Sequence, residues 1–156
     1  MELTLDQALN KGIEAHKAGQ VTEADRYYTA ILKAQPKHPD ANHNMGVLIV
    51  GLGSVQEALP FFKTALEANP SIAQFWLSYI DALIKLNLVA DAKAVLDEAK
   101  SKGVKSDGFE QIEEQLYLSK TKKNPKKTNV KEPPPEKLNL LIKLYNQKKF
   151  QQVLNE

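Results

Sequence analysis

The chain has 156 residues, no cysteine and a formal net charge of +2, which excludes a disulfide framework and any thiolate metal site. No run approaches the roughly 18 apolar residues of a membrane span. The opening MELTLDQAL has no basic stretch before an apolar core, so it does not read as a secretory signal, and the module is expected to be soluble and cytoplasmic.

From Leu5 the sequence repeats with a period of 34 residues. Gly12 returns as Gly46 and Gly19 as Gly53; Ala24 returns as Ala58 and Ala92, and Val21 as Val55 and Val89. Tyr28 is followed in phase by Phe62 and Leu96, and Pro36 by Pro70. A period of this size marks a stacked array in which each unit buries its apolar face against its neighbours. Such an array offers an extended surface, which favours binding over chemistry.

Each period reads as two helices. In the second unit Ala41, Met45, Leu48, Ile49 and Leu52 recur at spacings of three and four, the signature of one helix face. Gly53-Ser54 breaks the pattern where a tight turn is needed. Ala58, Leu59, Phe62, Ala65 and Leu66 then form a second stripe, which ends at Asn69-Pro70 because proline disfavours helical geometry in the residue before it. Gly46 and Ala58 lack bulk where the helices meet, and Phe62 fills the space beyond. Gly12, Ala24 and Tyr28 repeat that arrangement in the first unit. In the third unit Ile80 stands where glycine stood, beside Ala92 and Leu96, so looser or shifted packing is expected there.

These residues resemble the tetratricopeptide repeats. The second unit carries Met45-Gly46, Ile49, Ala58, Phe62, Ala65 and Pro70. The third adds Trp76 at the family's tryptophan position, with Tyr79, Leu83, Ala92 and Ala99. The first has Ala8 at that position but keeps Gly12, Ala24, Tyr28 and Pro36. The resemblance spans residues 5 to about 104 in unbroken phase. It implies an all-α fold, a right-handed superhelical array of antiparallel helix pairs.

After Lys102-Gly103-Val104 the phase breaks. Asp107 and Glu110 have the spacing of a capping box, and Phe109, Ile112, Leu116 and Leu118 form an apolar stripe. Residues 107–118 are therefore assigned as a helix capping the array, which gives a domain of residues 3–118. Residues 119–137 hold seven lysines and two glutamates, a net +5 that leaves −3 for the rest of the chain. With a triple proline and almost nothing apolar to bury, 119–136 reads as a solvated, extended linker. No aromatic residues are interleaved for base stacking, so neither nucleic acid nor a membrane surface is expected as partner. Residues 137–156, with the stripe Leu138, Leu141, Ile142, Tyr145, Phe150, Val153 and Leu154, resemble the start of a further unit cut short. The chain is thus expected to be a fragment of a longer protein, with self-association through 138–154 as one outcome.

The residues offer no chemistry. His16, His38 and His43 have no metal-ligand spacing, Gly51-Leu52-Gly53 lacks the Gly-Lys of a phosphate loop, and Asp97-Glu98 and Glu113-Glu114 are expected to face solvent. No catalytic, cofactor or metal site is expected, and the chain is not read as an enzyme.

The family resemblance implies that the first helices line an inner groove. On them Asn10 recurs as Asn44, becomes Ser78, and returns as Asn139 beyond the linker. An asparagine side chain both accepts and donates, so such a ladder can hold the backbone of an extended peptide. It is similar to the asparagine ladder in the repeat region of O-linked N-acetylglucosamine transferase; the same asparagines can instead serve helix packing, and the sequence leaves both open. Asp6, Asp40 and Asp81 would give the face acidic character. The carboxylate clamp of cochaperone repeats falls here on Leu9, Ile13, Asn44, Gln74 and Ser78, where no cation stands ready, so chaperone-tail binding is not expected. The function read from the sequence is a protein–protein interaction scaffold. The alternative is the substrate-recruiting repeat region of a glycosyltransferase or sulfotransferase.

Overall fold

The computed structural model describes residues 2–123 of the chain. They form seven helices: α1 (Leu5–Lys17), α2 (Val21–Ala34), α3 (Pro39–Gly51), α4 (Val55–Ala68), α5 (Ala73–Lys85), α6 (Val89–Ser101) and α7 (Gly108–Lys123), with no strand among the described residues. No described helix is long and apolar enough to cross a membrane.

The period of the sequence becomes a period of turns. Gly19, Gly53 and Asn87, spaced 34 apart, all have positive φ, at 73°, 88° and 61°. Glycine adopts this conformation without strain and asparagine tolerates it. The residue after each closes the helix end: Gln20, Ser54 and Leu88 donate their N–H to Ala15, Ile49 and Leu83. Gly103, at φ 75°, ends α6 in the same way, with the Val104 N–H bonded to Ala99.

The helix pairs meet as the small residues imply. A Cβ on Gly12 would lie 2.6 Å from Cε1 of Tyr28, and one on Gly46 would lie 2.6 Å from Cε1 of Phe62. The third pair replaces this contact with Ile80, buried in one cluster with Ala92 and Leu96. The smaller Leu96 leaves room for the branched side chain, and α5 and α6 have a smaller zone of close backbone approach than the two earlier pairs. Tyr28 carries a cost that Phe62 does not, because its hydroxyl is fully buried without a hydrogen-bond partner. Tyr28→Phe is therefore expected to leave stability unchanged or raise it by up to about 1 kcal/mol. Urea unfolding checks this, and a comparable loss would mean that the hydroxyl is satisfied after all.

Along the array, α1, α3, α5 and α7 each touch the next member of their row, whereas α2, α4 and α6 touch only helices of that first row. One row is closed up and the other splayed. The array therefore bends with the first helices on the inside, and the splay leaves clefts on the outside.

Three expectations need correction. Leu52 shares the periodicity of the α3 stripe, but it is the C-cap residue and 62% exposed, because the helix turns away one residue earlier. Ser106, rather than an Asp107–Glu110 box, supplies the side chain at the start of α7, its Oγ accepting from the Gly108 N–H at 3.3 Å. The helix also passes Leu118, which is 52% exposed, and continues to Lys123. Backbone hydrogen bonding needs no apolar face, so the first lysines assigned to the linker extend the helix. Phe109, Ile112 and Leu116 are buried as expected. Beyond Lys123, the linker, Asn139, the 138–154 stripe and the truncated unit at 137–156 lie outside the described residues.

Candidate functional site

The inner row presents its most complete face on α3. Asp40, His43, Asn44 and Val47 are spaced three, one and three residues apart, which places them on one side of the helix. The adjoining side carries the buried Ala41, Met45 and Leu48. Pro39 opens the helix where its missing N–H costs nothing, and the His38 ring accepts from the Ala41 N–H at 3.2 Å. On the accessible face Asp40 is exposed, Asn44 half-buried, and Val47 37% exposed.

The 34-residue register puts Asn10, Asn44 and Ser78 at matching places on α1, α3 and α5, but their environments differ. Asn10 is exposed and Asn44 half-buried. Ser78 is engaged: its Oγ lies 2.9 Å from Nε2 of His43 and accepts from Nε2 of Gln74 at 3.2 Å. Of the three aspartates, Asp6 and Asp40 stand in the first turns of α1 and α3, where negative charge meets the positive end of the helix dipole. Asp81 is paired with Lys85 at 2.7 Å, an exposed contact of small energy. The groove is thus less acidic at its α5 end than a count of aspartates implies.

His43 is the residue the asparagine pattern concealed. Its ring stacks on Phe75 with centroids 4.8 Å apart and lies 5.9 Å from Phe62. Together with the Ser78 bond, this ties the second unit to the third across the inner face. Burial pushes its pKa below the ordinary histidine value, opposed in part by a hydrogen bond to Asn44 and by the Asp40 charge. Val47 was also missed. The signal for both lay in the register: Leu9, His43 and Leu77 form one row, and Ile13, Val47 and Asp81 the next. Leu9 and Ile13, two of the five positions onto which the clamp falls, are half-buried against the core of the first two units.

Among the described residues no group of three or more His, Cys, Asp or Glu could hold a metal ion. The arrangement offers amide and carboxylate groups beside an apolar strip, which suits contact with a chain.

Two family models, each described as Tetratricopeptide repeat, match residues 9–71 and 50–108, together 100 of the 156 residues. The chain belongs to the tetratricopeptide-repeat family. No curated protein matches this tetratricopeptide-repeat chain. Solved structures of similar fold include the TPR2B domain of yeast Sti1 in complex with pHsp70, at 23% identity and TM-score 0.64, covering 77% of this chain and 98% of that one. Another is the Yersinia enterocolitica type III secretion chaperone SycD with a peptide of the translocator YopD, at 16% identity and TM-score 0.67, covering 80% and 98%. A third is a mutant O-GlcNAc transferase of Thermobaculum terrenum, at 20% identity and TM-score 0.62, covering 76% of this chain and 23% of that one. At these identities the likeness is one of fold.

Proposed function

We propose that the chain is a non-catalytic interaction scaffold that holds an extended protein segment along its inner row of helices. The observation that carries this reading is the accessible face of α3, where Asp40, Asn44 and Val47 offer charge, amide and apolar contact side by side. Asn10 and Asp6 extend the polar part along α1. Ser78 contributes by holding His43 in place, and Asp81 remains on the face paired with Lys85. The ligand chemistry that fits is a neutral or basic segment with an apolar side chain over Val47. A solved structure of similar fold that carries a bound peptide, SycD with its YopD peptide, supports a peptide or protein as ligand without naming the partner.

Ordering a flexible ligand offsets part of the contact energy, and each neutral hydrogen bond contributes only about 0.5–1.5 kcal/mol net. Affinity should be modest. Changing Asn10 and Asn44 together to alanine is expected to weaken a peptide selected by display about ten-fold, with helicity unchanged. Calorimetric titration checks this. Equal affinity for the double variant would place the partner surface elsewhere.

A second reading makes the array the substrate-recruiting part of a glycosyltransferase or sulfotransferase. It rests on the fold likeness to the O-GlcNAc transferase, of which the matched part is 23%. On that reading a ligand of the groove is modified by a catalytic domain of the same polypeptide, and the full-length sequence decides between the two.

A further inference from the structure

The outer side of the array holds a cleft of about 350 Å³ between α4 and α6. Trp76 and Tyr79 of α5 lie at its floor, with Glu67 on one wall and Val95 and Glu98 on the other. It has two causes. The second helices are splayed, and the register sets Val95 where the preceding unit has Phe61. Phe61 packs on the cluster of Met45 and Leu48, whereas valine leaves that volume open. The register also exchanges Met45 for Tyr79, which brings a half-buried aromatic ring and a hydroxyl to the floor.

Two carboxylates flank the cleft, Glu67 from α4 and Glu98 from α6. The Tyr79 pKa is raised, first by burial and then by the charges of Asp91, Glu67 and Glu98. Glu67 and Glu98 therefore stand close enough to act on the hydroxyl, and Lys63 and Lys102 line the cleft beside them. Lys102 Nζ stands 3.7 Å from Glu98 Oε1, with both side chains about half exposed. Such a loose pair contributes little, so an incoming cation can displace the lysine at small cost.

We propose that this cleft is a second binding site, which takes an arginine side chain of a protein partner. The planar guanidinium lies on the Tyr79 ring between the carboxylates of Glu67 and Glu98. Arginine fits better than lysine because its flat, weakly hydrated head stacks on aromatic faces and forks towards carboxylates. The volume is at the low end of the roughly 300–1,000 Å³ of ligand pockets, which suits one long side chain. The site is independent of the inner groove and lies on the opposite side of α5.

The chain contains one tryptophan, and it lines the cleft, so its emission reports on occupancy. The full chain is titrated at low ionic strength with N-acetyl-arginine amide, and with the citrulline analogue as an uncharged control of the same shape. A saturable change is expected for the arginine compound alone. Glu98→Gln should weaken it about five- to ten-fold. Val95→Phe, which copies Phe61 of the preceding unit, should abolish it without lowering the melting temperature. Asn10→Ala with Asn44→Ala should leave it unchanged. Equal responses to citrulline and arginine, or full binding by Val95→Phe, would overturn the proposal. Should Val95→Phe fail to fold, Glu67→Gln with Glu98→Gln on the exposed rim carries the same test, and retained affinity there overturns it.

Discussion

Gly46→Ile is expected to destabilise the array by about 3 kcal/mol or more, and adding Phe62→Leu is expected to restore most of the loss. A Cβ on Gly46 would stand 2.6, 2.8 and 3.0 Å from three carbons of the Phe62 ring. That ring is 2% exposed and closed in by Ala58, Ile49, Val50 and Leu59, so it has nowhere to swing. Isoleucine is a better helix former than glycine by only a few tenths of a kcal/mol, which cannot offset the clash. The third unit shows how the same junction accepts bulk: Ile80 and Leu96 occupy these two positions and are both buried in one cluster. Copying both residues should therefore succeed where copying one fails. Circular dichroism during urea unfolding measures this double-mutant cycle. If the single variant is as stable as the parent, or the double no better than the single, close approach is not what fixes glycine at this position. A loss of this size matters because small domains have only about 5–15 kcal/mol in total.

The repeat made the fold legible because one physical constraint recurs at each position. A turn glycine at 19 and 53, a close helix contact at 12 and 46, and a break before Pro36 and Pro70 can all be read without coordinates, whereas Asn87 shows its matching left-handed turn only in the backbone. Less was legible where helical periodicity continues past the helix that uses it. Leu52 keeps the spacing of a buried face but falls in the cap. Lysines 120, 122 and 123 read as linker, yet the backbone of α7 runs through them. The candidate site was legible in position and not in chemistry. Matching register found Asn10, Asn44 and Ser78 on one row, but whether a hydroxyl is free depends on a histidine 35 residues away. His43 looked ordinary because its register row, Leu9, His43 and Leu77, repeats no polar residue, and only the approach of α3 to α5 gives it Phe75 and Ser78 as neighbours.

Trp76→Ala is expected to cost about 3–5 kcal/mol, the range for deleting a buried aromatic side chain. The indole is 3% exposed and shares a cluster with Leu66, Phe75, Phe109 and Ile112, so it joins the second unit, the third and the capping helix. Its Nε1–H donates to the Pro70 carbonyl at 2.8 Å. The same bond exists one period earlier in another form: Asn42 Nδ2 donates to the Pro36 carbonyl at 3.0 Å. The array therefore asks for a donor at this position to hold the turn between units, and the third unit meets that need with a residue that also fills the core. Two further variants separate the roles. Trp76→Phe keeps most of the apolar area and leaves the Pro70 carbonyl unpaired, for an expected loss of about 1–3 kcal/mol. Trp76→Asn supplies the amide donor that works at position 42 and loses the ring, and it should be nearly as unstable as alanine. Chemical unfolding followed by circular dichroism ranks the three. A Trp76→Asn variant as stable as the parent would mean that the turn bond, rather than apolar burial, holds the third unit to its neighbours.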